Sequence, residues 1–242
     1  MSAPLFLVEA LPAGATYTVD GPEGHHAAAV QRLRAGETLL LGDGRGATAR
    51  AVVTSAGRDR LDVTIEQRWY EDAPDPRLVV VQGIAKADRG ELAVQVMTEV
   101  GVNEIVPWAA ARSVAQWRGE RGDRSHRRWV DTVREAAKQA RRAWLPAVAP
   151  QDATAAVSSR MGAGALGLVL HEEATTPLTA VDLPSSGDIV VVVGPEGGIT
   201  ADELAGFVSA GAVAVRLGTT VLRTSTAGAA ALAVLSVRLG RW

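Results

Sequence analysis

The first 68 residues alternate apolar and polar positions in short runs that are separated by turn-forming residues. The runs ATYTVD, TLLLGD, ATARAVVT and RLDVTIEQ are rich in β-branched and apolar residues and read as strands. The glycine-rich stretch GDGRG (42–46) is typical of a hairpin turn between two of them. This pattern predicts a small β-barrel over residues 1–70.

From residue 78 the pattern changes to apolar strands that alternate with helical segments. The runs LVVVQGI, LGLVL and IVVVV are nearly continuous in apolar residues, which is typical of parallel strands buried on both faces. Between them, residues 90–101 and 125–144 have helical periodicity, and two further helices follow the last glycine-rich turns. We therefore expect an α/β domain with a mostly parallel sheet over residues 78–242, joined to the barrel by the linker EDAPDPR (71–77).

The two long helical segments each predict a buried and an exposed face. In the first, Leu92, Val96, Met97 and Val100 share a face. In the second, the apolar stripe is Trp129, Val133, Ala136, Ala137, Ala140 and Trp144, while Arg134, Lys138 and Arg141 form a row predicted to be exposed and basic. Thr200 and Glu203 have capping-box spacing before a third helix, which Gly211 is expected to end.

Composition narrows the class of protein. Of 242 residues, 47% are hydrophobic and 21% charged, which indicates a globular protein. The absence of cysteine excludes disulfides, thiolate metal sites and a cysteine nucleophile, and the four histidines (His25, His26, His126, His171) have no metal-ligand spacing. The N-terminus has no signal-peptide pattern and no apolar run is long enough to span a membrane, so we expect a cytoplasmic protein without a metal.

Charge is distributed unevenly along the chain. Residues 112–142 carry ten Lys or Arg and four Asp or Glu, whereas residues 150–209 carry one Arg and eight Asp or Glu. Such a basic segment suggests a polyanion partner, and a solvated helix surface explains it equally well. The predicted barrel is also rich in arginine over residues 25–60, and small β-barrels often bind oligonucleotides.

The stretch IVVVVGPEGGITADEL (189–204) reads as strand, glycine turn and helix, which is the order of a nucleotide-binding loop. However, it has no P-loop lysine, and Glu196 would repel a phosphate at the helix N-terminus. A backbone-lined turn of this kind suits a ligand that is not strongly anionic, such as adenosine with a sulfonium and an amino acid group. The G-x-G-x-x-G at residues 162–167 precedes a strand and is not a dinucleotide fingerprint.

Arg223 stands just before the predicted last helix, where the helix dipole disfavours a cation. Its position there suggests a functional side chain in the segment LGTTVLRTSTAGAAAL (217–232).

Three blocks together resemble the 16S rRNA (uracil-N3)-methyltransferase family of the SPOUT superfamily. They are KADRGELAVQVMTEVGVNEIVPW (86–108), VVGPEGGITADEL (192–204) and the segment 217–232, with support from HHAAAVQRLRAGE (25–37) and EAAKQARRAWLP (135–146). The resemblance implies a PUA-like β-barrel before a trefoil-knotted α/β domain, S-adenosylmethionine as methyl donor, a homodimer, and methylation of N3 of uridine 1498 of 16S rRNA in the small ribosomal subunit.

The resemblance also implies which residues form the site. The implied cofactor-binding residues are Leu170, His171, Glu172, Gly194, Pro195, Glu196, Gly197, Gly198, Ile199, Leu217, Gly218, Leu222, Thr226 and Ala227. Arg223 is the expected catalytic residue, as an electrostatic stabiliser of the uracil anion. The expected RNA-binding residues are Arg32, Arg34, Arg134, Lys138, Arg141 and Arg142.

The chain departs from the family pattern at four places, one of which is Arg141-Arg142, where a Gly-Arg pair is usual. Ser225 and Gly228 stand where an acid and a proline are usual, and Val96 stands where a lysine is usual. Two other functions stay open: ribose 2′-O-methylation by the same fold, and a non-catalytic rRNA-binding assembly factor. A NAD- or ATP-binding protein is the weakest candidate, because neither fingerprint has its required context.

Overall fold

A computed structural model describes residues 3–242, which form two compact units. The first unit contains the chain up to Ala73 together with Ala137–Leu145, and the second contains Pro74–Ala136 with Pro146–Trp242. The sequence placed residues 137–145 in the α/β domain, whereas the structure groups them with the first unit. The first unit is therefore made from two separate stretches of the chain.

The first unit is built on a five-stranded sheet in the order β1-β3-β4-β5-β2, antiparallel except between β1 and β3. The strands are β1 Leu5–Leu7, β2 Thr16–Val19, β3 Thr38–Gly42, β4 Ala47–Ala56 and β5 Leu61–Tyr70. Helix α1 (Gly21–His25) continues into a π-helical turn, His26–Val30. Two register shifts along the β4–β5 ribbon bend it, and side chains such as Leu39 and Leu61 fill the core.

Residues 137–145 are bonded into this first unit through their backbone and through the Trp144 side chain. The Gly46 N–H donates to the Ala143 carbonyl and the Leu145 N–H donates to the Gly44 carbonyl, both at 3.0 Å. The Trp144 indole N–H donates to the Glu71 carbonyl at 2.8 Å. These bonds explain why this short stretch belongs with the N-terminal strands.

The second unit contains an eight-stranded sheet in which every strand pair is parallel. The strand order is β11-β13-β10-β12-β6-β7-β8, and β9 also pairs with β7. The strands are β6 Arg77–Gly83, β7 Glu104–Ala109, β8 Ala147–Val148, β9 Asp152–Ala153, β10 Leu166–Leu170, β11 Thr176–Pro177, β12 Asp188–Val193 and β13 Val213–Arg216. The predicted parallel α/β domain is confirmed.

Helices cover both faces of this sheet. They are α2 Arg89–Val100, α3 Gly119–Gln139, α4 Thr154–Ala163, α5 Ala201–Ser209 and α6 Thr224–Arg238, with a 3₁₀ turn at Leu178–Ala180. Val80 and Val191 point into a core with α2, α3 and α6, while Val81 and Val192 point into a core with α4 and α5. Alternate residues of one strand thus enter opposite cores, which explains the continuous apolar runs. No helix within residues 3–242 is long and apolar enough to cross a membrane.

Two details of the predicted helices were wrong. Helix α3 begins at Gly119 and ends at Gln139, and Arg141 then adopts a left-handed conformation with φ 55°. Ala140, predicted on the apolar stripe, is consequently exposed beyond the helix end. On α2, Leu92 is 46% exposed although the pattern placed it on the apolar face. The other stripe positions of α3 up to Ala137 are buried as predicted.

The path of the chain after β13 brings the last helix back to the middle of the sheet. Strand β13 lies beyond β10, on the side away from β6. Helix α6 nevertheless begins at Thr224, whose hydroxyl contacts Gln82 at the end of β6 and Gly194 at the end of β12. Such a return is the path that the predicted trefoil knot requires.

Candidate functional site

Five loops leave the carboxyl ends of the neighbouring strands β13, β10, β12, β6 and β7 and surround a cavity of about 710 Å³. The three loops that the sequence singled out contribute residues 170–173, 193–199 and 215–224. A crevice outside the carboxyl ends of parallel strands is the usual ligand site of open α/β sheets. The volume lies within the range of about 300–1,000 Å³ that small-molecule sites occupy.

The predicted cofactor-binding and catalytic residues lie together around this cavity, with one exception. The lining includes Leu170, His171, Glu172, Gly194, Pro195, Glu196, Gly197, Gly198, Ile199, Leu217, Gly218, Leu222, Arg223 and Ala227. Thr226 is not part of the lining. Its side chain is exposed on the first turn of α6, and its hydroxyl donates to the Arg223 carbonyl at 3.2 Å. Thr226 therefore caps a turn beside the site.

The glycine turn after β12 presents backbone to the cavity. The Gly198 N–H donates to the Pro195 carbonyl at 2.9 Å, and Gly198 has φ 76°, which favours glycine. Gly83, at the end of β6, packs directly beneath the turn, since a Cβ there would lie 2.5 Å from the Pro195 nitrogen. The absence of a side chain at Gly83 lets the end of β6 pack against the backbone of the turn.

The Glu196 carboxylate holds a neighbouring loop. Its Oε1 accepts a hydrogen bond from the Lys86 N–H at 3.1 Å and lies 3.6 Å from the Arg89 guanidinium. Glu196 thus ties the start of α2 to the glycine turn. This explains why a carboxylate stands in a turn that would otherwise resemble a phosphate loop.

Arg223 is the N-cap residue of α6, and its side chain is exposed on the cavity wall. The next residue anchors it: the Thr224 hydroxyl donates to the Gly194 carbonyl at 2.7 Å and accepts from the Gln82 amide at 2.9 Å. Thr224 and Gln82 are buried. The position of the Arg223 loop is therefore coupled to the glycine turn and to the end of β6.

Sequence reasoning missed three arginines that line the cavity, Arg89, Arg112 and Arg216. Arg216 is the last residue of β13, and Arg89 and Arg112 follow the ends of β6 and β7. A position at the carboxyl end of a parallel strand is the signal that could have found them. With Arg223 they give the cavity four cationic side chains, and Glu172, Glu173 and Glu196 give it three anionic ones. The wall therefore presents both signs of charge.

Glu203 also went unrecognised as part of the site's support, beyond its role in a helix cap. The capping box with Thr200 is present as predicted. The same carboxylate accepts hydrogen bonds from the Ala111 N–H at 2.8 Å and the Thr154 hydroxyl at 3.2 Å. Burial raises the pKa of Glu203, but these bonds and those from Thr200 outweigh burial and leave it below its ordinary value. Glu203 thus fixes the loop that carries Arg112, whose guanidinium donates to the Gly197 carbonyl at 3.2 Å.

Comparison with known proteins identifies the family to which this chain belongs. The profile of an RNA methyltransferase domain matches residues 72–236, and that of an RNA methyltransferase PUA domain matches residues 19–66. The ribosomal RNA small subunit methyltransferase E of Mycobacterium tuberculosis is 49% identical over 100% of this chain and 94% of that protein. This chain belongs to the ribosomal RNA small subunit methyltransferase E family.

Other members of the methyltransferase E family agree over nearly the whole chain. The Bacillus subtilis protein is 28% identical over 91% of this chain and 90% of its own length. The crystal structure of the Neisseria gonorrhoeae member, bound to S-adenosyl methionine, superposes with a TM-score of 0.85, covering 98% of each chain at 29% identity. The likeness therefore includes both the PUA unit and the α/β unit.

One departure from the methyltransferase E pattern has a packing explanation. Gly228 faces Met97, and a Cβ at residue 228 would lie 2.5 Å from the Met97 sulfur. Met97 is fully buried between α2 and α6. The usual proline therefore has no room here. Ser225 is buried in the first turn of α6, and nothing in the structure explains why it replaces an acid.

The six residues predicted to bind RNA differ in what the structure shows of them. Arg32 and Arg34 are exposed in the PUA unit, and Arg134 and Arg141 are exposed as well, while Arg142 is half-buried. Lys138 is only 8% exposed, and its ammonium group lies 3.1 Å from the Glu23 carboxylate. The prediction of an exposed basic row was therefore wrong at Lys138, because α1 of the PUA unit supplies an acid that buries it.

Proposed function

We propose that this protein transfers the methyl group of S-adenosylmethionine to N3 of uridine 1498 in 16S rRNA of the small ribosomal subunit. The observation that carries the proposal is the meeting of the glycine turn, the loop after β10 and the Arg223 segment around one cavity. The family supports it, since its members are named small-subunit rRNA methyltransferases and one of them was crystallised with S-adenosyl methionine. A substrate of this kind makes the cytoplasm the expected compartment.

The residues present fit the cofactor. Backbone at Gly194–Ile199 and Leu217–Gly218 would hold the adenosine, and a Cβ built at Gly218 would meet nothing within 4 Å. Arginine and glutamate side chains of the same wall match the carboxylate and ammonium of the methionine part. When bound, S-adenosylmethionine supplies an electrophilic methyl group on a sulfonium.

Arg223 supplies the chemistry that uracil requires. The proton on uracil N3 must leave to solvent before N3 can form the new N–C bond, and the anion so formed spreads its negative charge over the adjacent carbonyl oxygens. A guanidinium held on the cavity wall stabilises that charge and donates hydrogen bonds to those oxygens. Because Thr224 is anchored to Gly194 and Gln82, the backbone that carries Arg223 is held in place before the substrate arrives.

RNA binding is proposed for Arg32, Arg34, Arg134, Arg141 and Arg142. Arginines that contact phosphates give affinity that falls with rising salt. Lys138 is assigned a structural part instead, because its charge is buried against Glu23.

We also propose a homodimer, since α2 and α6 pack together and both expose apolar side chains, Leu92 and Val237, at 46% and 59%. Light scattering of the purified protein tests it, and a monomeric mass would contradict it.

The decisive experiment compares wild type with Arg223→Ala. Both proteins are incubated with S-adenosylmethionine and either small-subunit particles or naked 16S rRNA, and the modified nucleotide is mapped by mass spectrometry of digested RNA. We expect N3-methyluridine at position 1498 with wild type and a loss of turnover of about 100-fold or more with the variant, at unchanged cofactor affinity. Near-normal turnover of Arg223→Ala would remove the catalytic assignment.

The same experiment separates the alternatives. A methyl group on a ribose 2′ oxygen would identify a ribose methyltransferase of the same fold. Absence of cofactor binding in calorimetry would identify a non-catalytic rRNA-binding factor.

A further inference from the structure

A second cavity, of about 450 Å³, lies within the second unit at the start of α3, outside the cavity of the proposed active site. Its walls come from the loop before α3, the first two turns of α3 and residues 150–151. The side chains that define it are Trp117, Asp123, His126, Arg127 and Gln151. Its volume is within the range of sites for small ligands.

Two contacts fix the walls of this second cavity. Gly122 is buried under the loop, and a Cβ there would lie 2.8 Å from the Trp117 carbonyl carbon. The His126 Nε2 lies 3.0 Å from the Ala149 carbonyl oxygen. Because a carbonyl oxygen only accepts, Nε2 carries a proton and holds α3 to the segment before Pro150. The loop, the helix and that segment are thus fastened to one another.

Trp117 gives this cavity a rigid aromatic wall. Its ring packs edge-to-face on buried Trp129, with ring centroids 4.8 Å apart, and on His126 at 6.4 Å. Trp117 is only half-buried and lines the cavity. Proteins that bind single-stranded nucleic acid stack bases on aromatic rings of this kind, which are fixed in place by their neighbours.

The charges around the second cavity favour a polyanion. Arg118, Arg121 and Arg127 are exposed, and their guanidinium groups make no ion pair within the described residues 3–242. By contrast, Arg124 is paired with Glu120 at 3.5 Å. Arg127 lines the cavity, and Arg118 and Arg121 are chain neighbours of the lining residues Trp117, Gly119 and Gly122. Positive charge therefore extends along the chain beyond the cavity, which suits linked phosphates better than a free nucleotide.

We propose that this cavity binds one unpaired nucleotide of the rRNA substrate, separate from the methylated uridine. The base stacks on Trp117, with Gln151 and Asp123 at its polar edge, and the phosphate lies at Arg127. The inference rests on the proposed function only in taking RNA as the substrate. It assigns α3 a role in holding the RNA in register while the target base enters the active site.

The test measures binding of a 16S rRNA fragment by the full-length protein at several salt concentrations. Trp117→Leu should lower affinity about 5- to 150-fold with an unchanged salt slope, because a stacking contact is lost. Arg127→Ser should lower affinity and reduce the slope of log K against log salt by about 1. Arg124→Ser is the matched control, because it removes the same charge from the same helix at a residue that does not line the cavity. It should lower the affinity less than Arg127→Ser does.

Ultraviolet cross-linking followed by mass spectrometry should join a nucleotide to the peptide that contains Trp117. Equal effects of Arg127→Ser and Arg124→Ser, with Trp117→Leu within twofold of wild type, would overturn the inference while leaving methyl transfer intact. Losses seen with small subunits but not with naked rRNA would assign the cavity to a ribosomal protein and overturn it too. If Trp117→Leu does not fold, the rRNA affinities of Trp117→Phe and Arg127→Ser decide the inference instead. A wild-type protein that binds no rRNA would refute the proposed function itself.

Discussion

At the scale of single residues, the site depends on groups whose partners come from distant parts of the chain. The Glu203 carboxylate shows this well, because sequence reasoning found only its local partner, Thr200. Its bond to the Ala111 N–H comes from a residue far away in sequence, and so does the bond from Thr154. Capping is a local rule that sequence can show, whereas the bonds to the other oxygen of the same carboxylate exist only in the folded chain.

The lowered pKa of Glu203 predicts an acid-sensitive contribution to stability. Because the folded pKa lies below that of the unfolded chain, the contribution is complete above the unfolded value and is lost as pH falls through the folded one. Wild type should therefore lose unfolding free energy below a pH of about 4.5 more steeply than Glu203→Gln. Urea unfolding at several pH values measures this, and identical slopes for the two proteins would contradict it.

The close contact between Gly228 and Met97 predicts a compensating pair. Gly228→Ala should destabilise the protein by about 1–3 kcal/mol through overpacking, although alanine is the better helix former. Adding Met97→Ala should make the combined loss smaller than the sum of the two single losses. Urea unfolding of the four proteins gives the coupling. Gly206→Ala, in α5 with room for a methyl group, is the control and should be neutral or stabilising. Additive losses would show that the two residues do not compete for space.

At the scale of elements, the site is built by joining loops to one another rather than by any one loop. Thr224 links α6 to the end of β12 and to β6, and Glu196 links the glycine turn to the start of α2. These links leave the turn little freedom, so the backbone groups that face the cavity are already placed. Preorganisation of this kind is what a small-molecule site needs for affinity.

This coupling predicts different outcomes for the same substitution at two neighbouring threonines. Thr224→Val keeps the shape but leaves the Gln82 amide and the Gly194 carbonyl without that hydroxyl, so stability should fall by about 1–3 kcal/mol. S-adenosylmethionine affinity, measured by calorimetry, should fall with it. Thr226→Val removes a hydroxyl that bonds only locally to Arg223 and should leave affinity within twofold. Equal effects at the two positions would refute the coupling.

At the scale of the whole molecule, the sequence predicted the class of each unit and most of the proposed cofactor site. Strand and helix periods are local, and the strand-turn-helix order around Gly194–Gly198 is readable directly. Arg112 was missed because it stands in no recognisable motif, and Arg89 was given no role although it lies in the block 86–108. Only the strand order shows that they share a cavity with Arg223. Lys138 was misplaced because its acid, Glu23, lies in another part of the chain.

The composition of the first unit leads to a prediction about the whole chain. Residues 1–73 by themselves lack Ala143 and Leu145, which pair with the backbone of the hairpin at Gly44 and Gly46, and they lack the buried Lys138 ammonium that lies against half-buried Glu23. Removing one member of a buried ion pair costs about 3–5 kcal/mol, a large share of the stability of a domain of this size.

We therefore expect the fragment 1–73 to unfold without a cooperative transition in urea, while a fragment with residues 137–145 fused after a flexible linker unfolds cooperatively. Circular dichroism of both fragments tests this, with the full chain as reference. A third fragment carrying Lys138→Ala in the fused segment should be less stable than the second, since Glu23 then loses that ammonium. Cooperative unfolding of residues 1–73 alone, at the stability of the fused fragment, would contradict this. It would show that the N-terminal strands fold by themselves and that residues 137–145 add nothing to the stability of this unit.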